Sequence, residues 1–456
     1  MEKKIEKKIE TKTLRIELPR DVEKIIDTIE GAGHEAYAVG GCIRDVILGR
    51  EPNDWDVTTS ARPEEVKKLF RRTFDTGIQH GTVTVLMHGV GYEVTTYRID
   101  GTYEDARHPR EVTYVDDLTQ DLERRDFTIN ALAYNHSHGL VDRFDGIGDM
   151  RKGRIRCVGD PRERFDEDAL RMMRAVRFAA QLGFDIDPDT ADAIRELAPN
   201  LSRVSAERIM TELTKLITSD HPDMLRTCHE LGLTAVFLPE FDRCMVTPQN
   251  NEHHCYGVGE HILRTMCAVR PDRTLRFAML LHDMAKPDMM TVDENGIIHN
   301  KGHAEAGAVM ARQILRRLKS DNELVDNVEK LVRYHDWRFE PTARSVRRAM
   351  SRLGRELFPL MLEVQRADVA GQSDYMREEK NRRLDEVSEI AREIMEAGEA
   401  LSIKDLAVDG RDLMAHGIET GPRIGAILKE MLEHVLEVPE DNDKDVLIGM
   451  FVEDLT

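Results

Sequence analysis

A strand–turn–helix–strand pattern over residues 35–60 constrains the fold of this chain more than any other feature, and its sequence is EAYAVGGCIRDVILGREPNDWDVTTS. The apolar run before the glycines predicts a strand, the next eight residues predict a short helix, and the last eight predict a second strand. Gly40 and Gly41 allow the backbone to approach a ligand closely, and the helix that begins there has free N–H groups. The pattern therefore predicts a turn that can bind a phosphate.

Carboxylates on neighbouring strands predict a metal site. Asp54 and Asp56 are two residues apart, so on a strand their side chains point to the same side. Such a pair beside apolar neighbours is costly unless a cation lies between the carboxylates, and oxygen ligands favour Mg²⁺. Glu93, in the alternating strand GYEVTTYRID, is a candidate third acid of a two-metal site. The alternatives are a loop of solvated acids and, for Glu93, a cross-strand partner of Lys or Arg.

A run without Gly, Pro or Asn predicts a single helix over residues 166–182. Asp168 and Arg171 would then lie about one turn apart on one face. A carboxylate can accept from an exocyclic amine and a guanidinium can donate to a ring nitrogen, which suits cytosine and adenine and mismatches uracil and guanine. The alternative is a salt bridge on a solvated face. Arg174 and Arg177 wind round the helix and are predicted to reach phosphates.

The composition limits the kinds of partner and the compartment. A net charge of −20 over 456 residues argues against a protein that coats nucleic acid with its whole surface. Arginines crowd residues 151–177, however, which favours brief binding of one folded RNA. The six cysteines include no CxxC pair, there is no apolar run long enough for a bilayer, and the N-terminal MEKKIEKKIETK is too charged for a signal peptide. We expect a cytoplasmic protein with no membrane contact and no disulfide frame.

Four motifs in a fixed order resemble those of the class II nucleotidyltransferases, the family of CCA-adding enzymes and bacterial poly(A) polymerases. They are VGGCIRDVILGREPNDWDVTT, YEVTTYRIDGTYEDARHP, DLERRDFTINALAYN and FDEDALRMMRAVRFAAQLGF, and the resemblance covers roughly residues 30–240. Several motifs in register are more specific than any single one.

The resemblance implies a role for each matching residue. Asp54 and Asp56 would hold catalytic Mg²⁺, with Glu93 as a third acid near them. Asp168 and Arg171 would read the incoming base. The remaining nucleotide-binding residues implied by the resemblance are Gly41, Arg44, Arg125, Arg174 and Arg177.

A second group of chemically active residues lies between residues 251 and 372. Imidazoles and carboxylates on successive helices can hold one or two divalent ions, here a transition metal. Their order resembles the HD phosphohydrolase domain, with LLHDMAKP as its most specific piece. The alternative is that they are ordinary core or surface residues. The predicted ligands are His261, His282, Asp283, His303, His335 and Asp368.

The predicted fold class is α+β: a head with a mixed or antiparallel sheet followed by helical domains. The predicted segments are the head at 1–155, a helical neck with the base-reading helix at 156–245, an HD-type domain at 246–375 and a tRNA-binding helical tail at 376–456.

The resemblance implies an enzyme that adds CMP and AMP to the 3′ end of tRNA without a nucleic-acid template and releases pyrophosphate. Its partners would be tRNA, ATP and CTP. Three alternatives remain at this point: a poly(A) polymerase or an enzyme adding only CC or only A, a metal-dependent phosphohydrolase acting through the HD residues, and a catalytically silent RNA-binding protein.

Overall fold

The computed structural model describes residues 15–100, 112–250, 252 and 255–452. The charged N-terminal segment and the GTYEDARHP part of the second motif lie outside these residues. The chain divides into two compact units, Met1–Pro239 and Glu240–Thr456. Among the described helices, none is both long enough and apolar enough to cross a bilayer.

The first unit contains a mixed sheet beside helices, which confirms the predicted fold class. Its strands are β1 (Ala36–Val39), β2 (Asp56–Thr59), β3 (Thr73–Gly77), β4 (Thr82–Met87), β5 (Val90–Thr96), β6 (Arg98–Asp100), β7 (Val112–Tyr114), β8 (Leu132–Asn135), β9 (Gly139–Asp142), β10 (Arg154–Ile155) and β11 (Asp185–Ile186). Seven of them form one sheet in the order β3-β4-β5-β2-β1-β8-β9. Within it, β2 and β5 are parallel and the other neighbours are antiparallel.

The β4–β5 hairpin shows how local sequence sets this sheet. His88 and Gly89 form its two-residue turn, with φ of 49° and 90°. Positive φ at both turn residues matches the twist of the flanking strands. Along β4, Val83 and Val85 are buried while the residues between them are partly exposed, so one face of the hairpin covers the core.

Helices surround the sheet and continue beyond it. Those of the first unit are α1 (Arg20–Gly31), α2 (Gly41–Ile47), α3 (Pro63–Leu69), α4 (Leu118–Glu123), α5 (Gly146–Arg151), α6 (Pro161–Glu167), α7 (Leu170–Leu182), α8 (Pro188–Leu197), α9 (Ala206–Ile217), α10 (Leu225–Glu230) and α11 (Thr234–Phe237). Helix α7 packs against α9 through buried apolar side chains that include Met173 and Leu213. Gly183, at φ 67°, ends α7 with the left-handed residue that favours glycine.

The second unit is almost entirely helical. Its elements begin with α12 (Pro239–Val246) and continue with α13 (Val258–Ala268), α14 (Arg273–Leu281), α15 (Lys286–Met289), β12 (Thr291–Val292), β13 (Ile298–His299), α16 (His303–Arg317), α17 (Asn322–Tyr334), α18 (Ala343–Leu353), α19 (Leu357–Gly371), α20 (Arg377–Glu396), α21 (Gly410–Ala415), α22 (Pro422–Val435) and α23 (Lys444–Phe451). Helix α14 packs against α13, α17 and α19. The last three helices form a separate apolar core around Leu413, Met431 and Leu447.

Candidate active site and metal centre

The three predicted acids of the head lie at one end of adjacent strands. Asp56 begins β2 and pairs with Val39 of β1. Because Val57 pairs in parallel with Val94, one step back along both strands places Asp56 beside Glu93. Asp54 is exposed in the loop before β2, close enough to Asp56 to act on its charge.

The pKa of Asp56 depends on the neighbouring carboxylates. Burial and the neighbouring Asp54 raise the pKa of the half-buried Asp56 to about 6, Arg125 opposes this rise, and Glu93 adds to it. Among the described residues, acids and imidazoles whose ligand atoms all lie within 4.8 Å of one another occur in the second unit and not here. The head acids are close enough for Asp54 and Glu93 to raise the pKa of Asp56, but they form no group as compact as that one, and the Mg²⁺ that would bind between them stays a prediction.

The glycine turn lies directly against Arg125. Gly40 adopts φ 88°, which permits the sharp change from β1 into α2 at Gly41. A Cβ on Gly40 would lie 2.9 Å from Nη1 of Arg125, so a larger residue would push that guanidinium aside and would also strain the backbone at positive φ. Nη2 of Arg125 is 3.8 Å from a carboxylate oxygen of the buried Asp121. Its Nε is buried and has no hydrogen-bond partner among the described residues, so this guanidinium has donor capacity for a ligand.

Arg44, the other predicted arginine of the turn, is packed inside the unit. Its Nη1 donates to Oδ1 of Asn130 at 2.6 Å and its Nε donates to Oδ1 of Asp45 at 2.9 Å. Its guanidinium carbon lies 5.0 Å from the ring centroid of Phe178. These contacts fix its position in the wall behind the glycine turn.

The predicted single helix over residues 166–182 is wrong. Helix α6 ends at Glu167 and α7 begins at Leu170. Asp168, at φ −143° and ψ 100°, is extended, and its Oδ1 accepts from the backbone N–H of Leu170 at 3.1 Å. A short carboxylate side chain favours such a capping position over a helix interior. The sequence did not reveal the break, because the residues on both sides of Asp168 favour a helix.

Asp168 and Arg171 do not form the salt bridge that was the alternative to base reading. Among the described ion pairs, Asp168 is bound by Arg208 of α9, at 2.7 Å for Nη2 to Oδ2 and 3.2 Å for Nη1 to Oδ1. Arg171 is buried and donates to Oε2 of Glu167 at 2.7 Å and to the carbonyl of Arg124 at 3.0 Å. The two side chains thus have separate anchors.

Arg174 and Arg177 are held by buried carboxylates that the sequence analysis did not single out. Arg174 donates from Nε and Nη2 to Oδ2 of Asp126, at 2.9 and 2.6 Å. Arg177 donates from Nε to Oε2 of Glu212 at 2.8 Å and lies 3.6 Å from the ring centroid of Phe178. Burial alone would raise the pKa of Asp126, but Arg174 outweighs it and holds that pKa well below its usual range.

The six predicted ligands of the second unit form one cluster. Asp283 lies at its centre: its Oδ2 is 3.4 Å from Nε2 of His261 and 3.2 Å from Nε2 of His282, and its Oδ1 is 3.5 Å from Nε2 of His303 and 3.8 Å from Nε2 of His335. Two overlapping groups result, and each has the compactness of a metal site: His261, His282 and Asp283, and Asp283, His303 and His335.

Asp368 closes the first group, since its Oδ1 is 2.9 Å from Nε2 of His261. The structure thus brings all six predicted ligands together, and the metal that they would hold stays a prediction.

The histidine rings are oriented by the backbone. In each, Nδ1 contacts a carbonyl: that of Gly371 at 3.1 Å for His261, of Met279 at 2.7 Å for His282, of Asn300 at 2.8 Å for His303 and of Val332 at 2.6 Å for His335. A carbonyl only accepts, so Nδ1 carries the proton and the Nε2 lone pairs face the centre. This is the donor set that a divalent transition metal prefers.

The charges in this cluster are strongly coupled. Burial alone would lower the pKa of His282, but Asp283 and Asp368 outweigh it and raise that pKa. Burial and His282 lower the pKa of His335 to about 3. Burial would raise the pKa of Asp283, but His282 and Lys286 hold it well below its usual range. The buried imidazoles and carboxylates therefore suit a bound cation.

A cavity of about 420 Å³ lies beside this cluster and reaches four of its ligands, Asp283, His303, His335 and Asp368. Cationic and polar side chains in its wall could bind a phosphate. The other charged and polar side chains that line it are Lys286, His299, Asn300, Lys301, Asp336, Arg338 and Gln372.

Comparison with known proteins finds family models that match three parts of the chain. A family model described as "Poly A polymerase head domain" matches residues 36–156. A second, described as "Probable RNA and SrmB- binding site of polymerase A", matches residues 183–245, and a third, for tRNA nucleotidyltransferase domain 2, matches residues 303–450. The segment that contains the sheet, the glycine turn and the three acids thus matches a nucleotidyltransferase with a poly(A) polymerase head domain.

Relatives similar over nearly the whole length identify the family. A CCA-adding enzyme from Levilactobacillus brevis is 37% identical over 95% of this chain and 98% of its own, and one from Lactiplantibacillus plantarum is 36% identical over 93% of each. The crystal structure of the Bacillus stearothermophilus CCA-adding enzyme in complex with CTP is 30% identical, with a TM-score of 0.73, and covers 96% of this chain and 98% of its own. The chain belongs to the family of CCA-adding enzymes, which confirms the resemblance and the nucleotidyltransferase activity it implied.

Proposed function

We propose that Asp54, Asp56 and Glu93 hold Mg²⁺ for the transfer of CMP and AMP to the 3′ end of tRNA. The observation that carries this assignment is the pKa of Asp56, which burial and Asp54 raise to about 6. A carboxylate that its neighbours discourage from ionising is stabilised by a divalent cation. Bound there, Mg²⁺ supplies activation of the terminal hydroxyl and neutralisation of the leaving pyrophosphate.

The residues of this chain then bind and orient the two reactants. The 3′-hydroxyl oxygen of tRNA forms a bond to the α-phosphorus of CTP or ATP, and the bond to pyrophosphate breaks. Arg125 is assigned to the sugar or phosphates because its Nε has no other partner among the described residues. Gly41 provides N–H groups at the start of α2, and Arg44, Arg174 and Arg177 complete the nucleotide site.

The base is read by Asp168 and Arg171, and counting their hydrogen bonds supports this assignment. Oδ1 of Asp168 accepts from Leu170 and Arg208, whereas Oδ2 accepts, among the described residues, from Arg208 alone and retains a lone pair. Among the described residues, Nε and one Nη2 hydrogen of Arg171 have no acceptor. One acceptor beside a donor matches cytosine and adenine, and it mismatches uracil and guanine.

The test uses tRNA transcripts that end before the CCA sequence, incubated with CTP, ATP or both, and sequencing of the product 3′ ends. We expect two C residues followed by one A with both nucleotides, and no addition by Asp54→Ala or Asp56→Ala. A run of A residues from ATP alone would favour a poly(A) polymerase, and addition that stops after CC, or adds only A, would favour a partial enzyme. Unchanged activity in both variants would contradict the metal assignment.

We further propose that the cluster around Asp283 binds one or two divalent transition-metal ions and hydrolyses phosphate esters. The four oriented Nε2 atoms and the adjacent cavity with its cationic wall support this second activity. Purified protein should contain a transition metal, and His282→Ala should remove it together with hydrolysis of a 2′,3′-cyclic phosphate while CTP addition persists. Hydrolysis that persists in His282→Ala, or protein that takes up no metal, would leave the cluster a structural core.

The remaining assignments concern the boundaries and the compartment. We propose a head at 1–155, a neck at 156–245, an HD-type domain at 246–375 and a tRNA-binding tail at 376–456, in a cytoplasmic enzyme. The separate apolar core around Met431 supports an independent tail. Limited proteolysis should cut first between these segments, and cuts confined to other positions would contradict the boundaries.

A further inference from the structure

The side chain of Arg125 has few contacts that could hold it in place. Its Nε is buried without a hydrogen-bond partner among the described residues, and its Nη1 lies against Gly40. Among the described residues, the one carboxylate in ion-pair contact with this guanidinium is that of Asp121, whose Oδ2 lies 3.8 Å from Nη2. A long side chain must be ordered before it can bind a ligand, and the ordering costs affinity. Asp121 is therefore the residue that can order Arg125 in advance.

We propose that Asp121 is a positioning residue for nucleotide binding, because its buried carboxylate holds Arg125 beside the glycine turn. This inference rests on the assignment of Arg125 to the sugar or phosphates of the nucleotide. The separation of 3.8 Å is too long for a hydrogen bond, so the attraction is between charges and leaves the N–H donors of Arg125 available to a ligand. The side chain of Asp121 is fully buried, so little solvent screens this attraction.

The carboxylate of Asp121 is itself fixed on both of its oxygens. Oδ2 accepts from Oγ1 of the buried Thr58 at 2.9 Å, and Oδ1 accepts from Nε of Arg124 at 2.9 Å. Thr58 lies in β2, two residues after Asp56, so the strand that begins at a predicted metal ligand also anchors Asp121. Because Arg124 is bound to Oδ1, Oδ2 is the oxygen that faces Arg125. The position of Arg125 is thereby set relative to β2.

Asp121 also competes with two other acids for the guanidinium of Arg125. Burial lowers the pKa of Arg125, and Asp121 opposes this more strongly than any other acid. Asp56 and Asp126 oppose it less. Without the charge of Asp121, the guanidinium would be drawn toward Asp56 or Asp126 and would form an internal ion pair. It would then bind the nucleotide less well, although Arg125 itself remains.

The test is a double-mutant cycle of Asp121→Asn and Arg125→Ala. Each of the four proteins gives a Kd for CTP by calorimetry without tRNA, and KM and kcat for CTP on a tRNA lacking its 3′ end. Asn keeps the shape of the side chain and removes its charge, so Asp121→Asn should raise Kd and KM about tenfold, the order of one contact to a charged group. Its kcat should change by less than about threefold, because the lost contact is one of binding. In the Arg125→Ala background, Asp121→Asn should raise Kd by less than about twofold, because its effect passes through Arg125.

The matched control is Asp187→Asn. Asp187 is another buried acid of the first unit, and its carboxylate accepts from Nη1 of Arg154 at 3.2 Å and from the N–H of Asp189 at 3.2 Å. Neither partner is a residue of the nucleotide site. Asp187→Asn should therefore keep the wild-type Kd and KM for CTP whatever its effect on the Tm.

The outcomes separate the role of Asp121 from that of Arg125. Wild-type CTP binding by Asp121→Asn, or an equal loss with and without Arg125, would overturn the positioning role. If Asp121→Asn does not fold, Thr58→Val replaces it, since it removes one hydrogen bond to Oδ2 and leaves the charge. It should raise Kd about two- to fivefold in wild type and not in Arg125→Ala, and an unchanged Kd in wild type would overturn the role. Wild-type binding by Arg125→Ala would instead overturn the assignment of Arg125 to the nucleotide.

Discussion

Replacing Asp56 by Asn should abolish nucleotide addition and, in metal-free buffer at pH 8, make the protein more stable. The folded-state pKa of Asp56 is raised from 3.8 to about 6 by burial and by Asp54. The folded chain therefore holds this proton more tightly than the unfolded chain, so stability falls as the pH rises from about 4 to about 6 and stays lower above that range. Because Asn carries no charge at any pH, the Asp56→Asn variant does not undergo this loss of stability.

The size of this gain in stability follows from the shift in the pKa of Asp56. About two pKa units correspond to about 3 kcal/mol, and solvent at this half-buried site reduces the figure to about 1–2 kcal/mol. For a unit of this size, Tm should rise by about 2–6 °C. Calorimetry at pH 8 and pH 4 with a chelator measures the difference. It should be much smaller at pH 4, because Asp56 is then protonated in the folded chain and lies close to its pKa of 3.8 in the unfolded chain.

Mg²⁺ provides an independent check of the same reasoning. Added Mg²⁺ should raise the Tm of wild type and have little effect on Asp56→Asn, since a ligand that binds only the folded state stabilises it. Asp116→Asn is the matched control, because Asp116 is an exposed head carboxylate that pairs with Arg62 at 3.1 Å. An Asp56→Asn variant that is less stable than wild type at pH 8, or equally stabilised by Mg²⁺, would refute the account of the charge cluster.

Two further changes test the supporting structure. Gly40→Ala should lower kcat/KM for CTP at least tenfold, because the new Cβ would lie 2.9 Å from the guanidinium of Arg125. The control is Gly49→Ala, which should keep activity, because Gly49 also has positive φ but has open space around it. Equal losses of activity in both variants would point to backbone strain alone. Glu212→Gln should lower the free energy of unfolding by about 2–4 kcal/mol in a denaturant titration, because it leaves the buried charge of Arg177 without its partner. Glu207→Gln on the same helix should change it by less than about 0.5 kcal/mol, and a similarly small effect of Glu212→Gln would show that the ion pair is dispensable.

Periodic patterns predicted much of this protein, because they describe contacts made within one element or between neighbours. Strand alternation predicted that Asp54, Asp56 and Glu93 lie together. The register places Asp56 and Glu93 side by side on adjacent strands, whereas Asp54 lies in the loop before β2. The order of His and Asp residues along successive helices predicted the cluster around Asp283, and every predicted ligand is present in it.

Interactions between distant parts of the chain could not be predicted in the same way. The break at Asp168 follows from its capping bond and its pair with Arg208, forty positions further along the chain. Ala, Leu and Met around the break favour a helix and gave no sign of it. Glu212 was missed because a lone acid in an amphipathic helix normally indicates a solvated face. Only the alternation of charge in ERIMTEL, opposite the arginines of α7, could have suggested its role.

Base discrimination in Arg171→Ala tests the central claim most directly, since that claim is that side chains of the protein select the nucleotide. Competition between labelled CTP and UTP on a tRNA lacking its 3′ end gives the ratio of their kcat/KM values. The account predicts that this ratio falls by about one to two orders of magnitude, because the lost donor is worth about 1–3 kcal/mol toward the ring nitrogen of cytosine. An Arg171→Ala variant that still rejects UTP as strongly as wild type would contradict it.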